Sequence, residues 1–178
     1  NVLEAARTAG VLEGDDLSEI SSDLESIIPM EAVFDKKWVS RLDGVRVKDI
    51  ENKWDQAEAL IQDIANFKEE NDCDRLVMVW CGSTEAFQEP SEVHASVAAF
   101  EEGLKNNDPN ISPSQIYAYA ALQSDVPFAN GAPNLSCDLD CIVELSKSRG
   151  VPIAGKDFKT GQTLMKTLLA PGFKARML

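Results

Sequence analysis

A continuous apolar run, Leu76-Val77-Met78-Val79-Trp80-Cys81, stops abruptly at Gly82-Ser83-Thr84. A strand buried on both faces, as in a parallel sheet, reads this way. Further short strands are expected at 44–48, 126–129 and 151–154. Between and around them lie helical patterns at 16–27, 49–67, 91–104, 113–122, 139–148 and 161–169. In the first of these, Leu17, Ile20, Leu24 and Ile27 recur three and four apart, as an amphipathic helix requires. The stops and starts agree: Pro29 ends that helix, Ser112-Pro113 supplies an N-cap and first-turn proline, and Gly150 closes the helix before it. Strands alternating with helices of this length predict βαβ units, hence an α/β fold with a parallel sheet and helices on both faces.

Charge narrows what such a fold can bind. The 178 residues carry 30 acids against 17 bases, a net −13, which argues against general binding to nucleic acid or anionic lipid. His94 is the single histidine, so a multi-histidine metal site is excluded. No apolar run approaches the ~18–20 residues of a membrane span, and no signal-peptide pattern opens the chain. The four cysteines, Cys73, Cys81, Cys137 and Cys141, read as buried or half-buried free thiols of a reducing cytoplasm. The balance is also uneven. Residues 1–74 hold 19 acids and 8 bases, whereas residues 147–178 hold one acid, Asp157, and seven bases. A basic cluster on an acidic chain suggests a site for a small anion; a solvated helix face is the plainer alternative.

In an open parallel sheet, ligands gather beyond the carboxyl ends of the strands. Three loops of that kind stand out. Gly82-Ser83-Thr84 follows the apolar strand, and its glycine and two hydroxyls suit close approach to phosphate or ribose oxygens. Asn130-Gly131-Ala132-Pro133-Asn134 places two amides where a sugar could be bound, although this is also ordinary turn material. Gly155-Lys156-Asp157-Phe158-Lys159-Thr160-Gly161-Gln162-Thr163 leads from a strand into a helix, where backbone N–H groups, Lys159 and Lys166 could cradle an anion. The stretch lacks the Walker A spacing.

With Ile111-Ser112-Pro113-Ser114 and Trp80-Cys81-Gly82-Ser83-Thr84-Glu85, these segments resemble the inositol-3-phosphate synthase (myo-inositol-1-phosphate synthase) family in order and spacing, over essentially the whole chain. The likeness is greater to its bacterial branch. The resemblance implies a partial Rossmann-like fold and an NAD-dependent isomerase that converts glucose 6-phosphate to inositol phosphate by oxidation at C5, enolisation, aldol closure and reduction. It implies Gly82, Ser83, Thr84, Ser112, Asn130 and Asp157 as NAD-binding residues. Asn134, Lys159 and Lys166 are implied at the substrate, with Lys159 and Lys166 catalytic and no metal ligand. A sugar-phosphate substrate, a cytoplasmic location and a homo-oligomer, a tetramer in the family, are implied with them.

The family opens its nucleotide-binding domain with a glycine-rich strand-to-helix turn and continues beyond the last motif present here. The chain is therefore expected to be a central, inactive fragment. Its parts are 1–74 as an acidic, mostly helical portion of the nucleotide-binding domain, 75–154 as the α/β core, and 155–178 as the start of the catalytic region. Apolar ends at Val2–Ala9 and 164–169 suggest self-association. Two other readings stand beside it: a non-catalytic module binding a dinucleotide or sugar phosphate, and a plain interaction domain with a solvated basic tail.

Overall fold

The computed structural model describes residues 2–158 and 162–176, without the side chains of 162–165. The chain divides into two units, Asn1–Phe34 with Asp43–Asp49, and Asp35–Leu42 with Ile50–Leu178. In the first, α1 (Val2–Ala9), α2 (Gly14–Glu19) and α3 (Ser21–Ser26) are short, and Leu3 and Val33 are buried. The single helix expected over 16–27 is broken at Ile20, which leaves the helical region of the backbone between α2 and α3. The strand expected at 44–48 is reduced to one bridge, Ala32 with Val47.

The second unit carries the sheet. Strands β1 (Met78–Trp80), β2 (Phe128–Asn130) and β3 (Ile153–Gly155) are parallel, in the order β1-β2-β3, with Val79, Ala129 and Ala154 in register. The parallel α/β arrangement read from the sequence is what the chain forms. Its helices are α4 (Lys53–Glu70), α5 (Val97–Lys105), α6 (Pro113–Gln123), α7 (Asp140–Arg149) and α8 (Gln162–Ala175). Among the described residues no helix is long and apolar enough to cross a membrane.

Helix α6 is the centre of the packing. Ile116, Ala118, Tyr119, Ala120, Ala121 and Leu122 are all buried, so the helix is apolar nearly all round, as a core helix must be. It meets β1 through Tyr117 on Trp80, ring centroids 5.1 Å apart. It meets α4 through Trp54 on Tyr119 and α5 through Phe100 on Tyr119, at 6.5 and 5.7 Å. The loop before α6 is tied to α4 by Lys53, whose Nζ donates to the carbonyls of Asp108 and Ile111 at 2.6 and 2.7 Å. Burial lowers the pKa of that ammonium.

Two expectations need correction here. β1 is not buried on both faces: Val79 is 49% exposed, as is Val77 just before the strand at 65%, whereas Phe128 and Asn130 of β2 are buried. The helix read over 91–104 is a 3-10 turn at Glu92–His94 followed by α5, since Ser96 caps the second element by accepting from the Ala99 amide. The remaining elements fall close to their expected places, with Gly150 closing α7 in a left-handed conformation at φ 67°.

Candidate functional site

All three strands end at the same edge of the sheet, so the segments that follow them must share space. The Gly131 amide donates to the Trp80 carbonyl at 2.8 Å. The amides of Asp157 and Phe158 donate to the carbonyls of Ala132 and Gly131, both at 3.1 Å. The fit leaves no room for a side chain at Gly155, where φ is +129° and a Cβ would stand 2.6 Å from the Asn130 carbonyl oxygen. Glycine is required there by both conformation and space.

Asn130 organises the loop after β2. It is fully buried, and its Nδ2 donates to the Asn134 carbonyl and Ser136 Oγ at 2.7 and 2.8 Å. Its Oδ1 accepts from the Ala132 amide at 3.0 Å, so the side chain is satisfied inside the fold. Asn134 then reaches the loop after β1, its Oδ1 accepting from the Glu85 amide at 2.9 Å. Glu85 turns inward: Oε1 accepts from the Ser114 amide at 2.8 Å and Oε2 pairs with Ser114 Oγ at 2.6 Å, placing a carboxyl group at the amino end of α6. Burial raises the Glu85 pKa against the pull of these hydrogen bonds. Ser112 lies beneath, its amide donating to Gln115 Oε1 at 3.1 Å and its hydroxyl 3.2 Å from Ser114 Oγ.

Two hollows flank this clasp. An inner cavity of about 130 Å³ is lined by Trp38, Thr84, Glu85, His94, Gln115 and Asn134, among others. An outer cleft of about 470 Å³ shares Trp38, Thr84 and Glu85 with it and adds Ser83, Lys37 and Arg41. The segment carrying Trp38 is fastened to the loop by the Ala86 amide, which donates to the Trp38 carbonyl at 2.8 Å. Among the described residues, three buried side-chain N–H donors lack a partner: those of Trp38, Trp80 and Asn134.

Of the residues expected from the sequence, Gly82, Ser83 and Thr84 are exposed at the end of β1, and Asn134 borders the inner cavity. Ser112 and Asn130 sit below the surface in the clasp. Asp157 is exposed after β3 at φ 60°, and beside it Lys156 pairs with Asp138 at 3.3 Å. Lys166 is exposed on α8, while Lys159 lies outside the described residues. Sequence reading missed Trp38, Glu85, Lys37 and Arg41. A tryptophan amid charges in a segment with no strand or helix pattern is the one signal that pointed to the first. The cysteine reading also needs amendment: Cys141 is buried, with burial pushing its thiol up to about 12, but Cys81 is exposed because the strand ends one residue before it.

A family model of an NAD-binding domain, described as Myo-inositol-1-phosphate synthase, matches residues 1–172. The chain belongs to this family. It is 50% identical over 179 residues to Inositol-3-phosphate synthase 1 of Bacteroides thetaiotaomicron, covering 100% of this chain and 42% of that protein. To the Inositol-3-phosphate synthase of Trypanosoma brucei brucei it is 34% identical, over 97% of this chain and 33% of the other. The fold aligns with the crystal structure of inositol-3-phosphate synthase from Caenorhabditis elegans at TM-score 0.86 and 26% identity, covering 96% of this chain and 35% of that one. A myo-inositol-1-phosphate synthase-related protein from Thermotoga maritima shares the fold at TM-score 0.61 and 22% identity. The synthase-family chain described here thus spans between a third and a half of the length of these curated relatives.

The nucleotide of the matching domain is NAD, and the residues present suit it. The outer cleft combines three hydroxyls, of Ser40, Ser83 and Thr84, with two cations, and the unsatisfied Trp38 indole stands in its wall.

Proposed function

We propose that this chain is the segment of an NAD-dependent inositol-3-phosphate synthase that positions the cofactor against a sugar phosphate, in the conversion of D-glucose 6-phosphate to 1D-myo-inositol 3-phosphate. The observation that carries the reading is the convergence of three strand-following segments on one edge, with Ser83, Thr84 and Asp157 presented outward. Bound NAD would supply the hydride chemistry, taking a hydride from the sugar and returning it within one turnover. Ser83 and Thr84 would donate to its ribose hydroxyls, Lys37 and Arg41 would face its phosphates, and Gly82 would let the backbone approach. Asp157 would stand at the reacting end. Ser112 and Asn130 act at one remove in this reading, holding the loops that carry the contacts.

Lys166, with Lys159, would face the substrate phosphate and the oxygens on which negative charge develops, where a fixed cation lowers the barrier. Asn134 would stand toward the sugar. The reading extends to a cytoplasmic, oligomeric enzyme whose activity requires more chain than these 178 residues. The test is NAD binding by calorimetry, followed by conversion of glucose 6-phosphate with no net change in NAD. Binding weakened about tenfold by Thr84→Val would support the contact roles. Absence of NAD binding in a protein that includes this segment, or net accumulation of NADH, would sink the reading.

A further inference from the structure

The inner cavity has a chemistry of its own. The Trp38 indole N–H and the Asn134 amide N–H are unpartnered on side chains 5% and 6% exposed, and both side chains line it. A buried donor without an acceptor is destabilising, so an occupant that supplies acceptors is favoured there. Several other polar groups of the wall are already engaged, the Thr84 hydroxyl not among them. Glu85 is held by Ser114. His94 Nδ1 accepts from the Ser91 amide at 3.0 Å, which leaves Nε2 to donate to Gln115 Oε1 at 3.2 Å. Gln115 Nε2 donates to the Leu135 carbonyl at 3.1 Å, and the Gln88 amide donates to Asn110 Oδ1.

Charge selects further. Among the described residues no lysine or arginine lines the inner cavity, whereas Lys37 and Arg41 line the outer cleft. Lys37 does lie 5.7 Å from the centre of the Trp38 ring, but its Nζ donates to the Pro109 carbonyl at 3.0 Å. An anion in the inner cavity would meet a carboxyl group and no partner cation, and desolvating it there would be costly. Size selects last: about 130 Å³ is close to the ~150 Å³ cavity that accepts a benzene ring.

We propose that the inner cavity is a subsite for an uncharged, acceptor-bearing group no larger than one six-membered ring, to which Trp38 and Asn134 donate. Anionic groups of the ligand are held outside it, beyond Thr84. The inference deepens the functional reading and rests on it only for the choice of probes, since that chemistry could come from a sugar ring or from the amide-bearing ring of the cofactor.

Tryptophan-indole ¹⁵N-labelled protein is titrated separately with myo-inositol, nicotinamide and inorganic phosphate. The Trp38 resonance is assigned with Trp38→Phe or, should that variant not fold, by elimination with Trp54→Phe and Trp80→Phe. A saturable shift of the Trp38 indole by myo-inositol points to the sugar as source, and by nicotinamide to the cofactor. Phosphate should leave it unmoved. Asn134→Asp, which keeps an oxygen for the Glu85 amide but removes both donors, should weaken the effective probe about tenfold. A resonance that answers to neither neutral probe, or that shifts with phosphate, overturns the proposal; a failure of NAD to bind would count against the functional reading and not against this result.

Discussion

The segments after β2 and after β3 are similarly polar and leave the same edge of the sheet, yet they spend their polar groups in opposite directions. From the last residue of β2 onward, Asn130, Asn134 and Ser136 are buried, and Asn130 alone makes three hydrogen bonds to the loop that follows it. After β3, Lys156, Asp157 and Phe158 are exposed, joined to the fold by two backbone hydrogen bonds and a half-exposed ion pair. The first segment builds the loop; in the proposed function it is the second that faces the ligand. Polarity in a loop therefore does not by itself mark a contact residue; a buried amide must pair internally, whereas an exposed carboxylate loses little by staying available.

Asn130→Leu against Asp157→Asn tests that contrast most severely. The first should cost about 3 kcal/mol or more in urea unfolding, because it strands the Ala132 amide, the Asn134 carbonyl and the Ser136 hydroxyl. The second should stay within about 0.5 kcal/mol while weakening NAD binding. Equal stability losses would erase the distinction between builder and presenter.

Lys166→Met sharpens the outward side. In the enzyme, turnover should fall about a hundredfold with NAD affinity little changed, as steady-state kinetics beside NAD titration would reveal. A near-normal rate removes Lys166 from the reaction.

Glu85→Gln probes the inward side through pH. The folded-state pKa of Glu85 lies above its unfolded value, so folding takes up a proton. The favourable contribution is complete below the unfolded pKa and is lost as pH rises through the folded one, about 1.4 kcal/mol for each unit of separation. Stability of the glutamine variant relative to the parent should therefore rise with pH above the ordinary carboxylate range and then level off. A flat difference in thermal unfolding from pH 4 to pH 8 would place Glu85 in water rather than under Ser114.

The smallest effect concerns the thiols. Cys81, exposed just after β1, should react with a disulfide reagent about tenfold or more faster than buried Cys141, and bound NAD should slow it.

The sequence carried the strand–helix alternation, the caps at Ser112-Pro113 and Gly150, and the three loops, since each depends on neighbours within a few residues. It misjudged β1 because an unbroken apolar run looks the same whether one face or both are covered. It passed over Ile20 because spacing of three and four says nothing about backbone dihedrals. Glu85 was legible as a residue of the loop but not as a cap, for Ser114 lies 29 residues further on.

By itself, then, the sequence determined a parallel α/β unit, an acidic chain with a basic end, and a set of motifs whose order and spacing belong to one family. These are properties of local periodicity, composition and linear order. Only the tertiary structure decided that Asn130 and Ser112 turn inward, that Trp38 joins the site from another segment, and that a cavity with no described lysine or arginine in its wall adjoins a cleft lined by Lys37 and Arg41. Those outcomes follow from which polar groups lose water when distant segments pack, and which find a partner there.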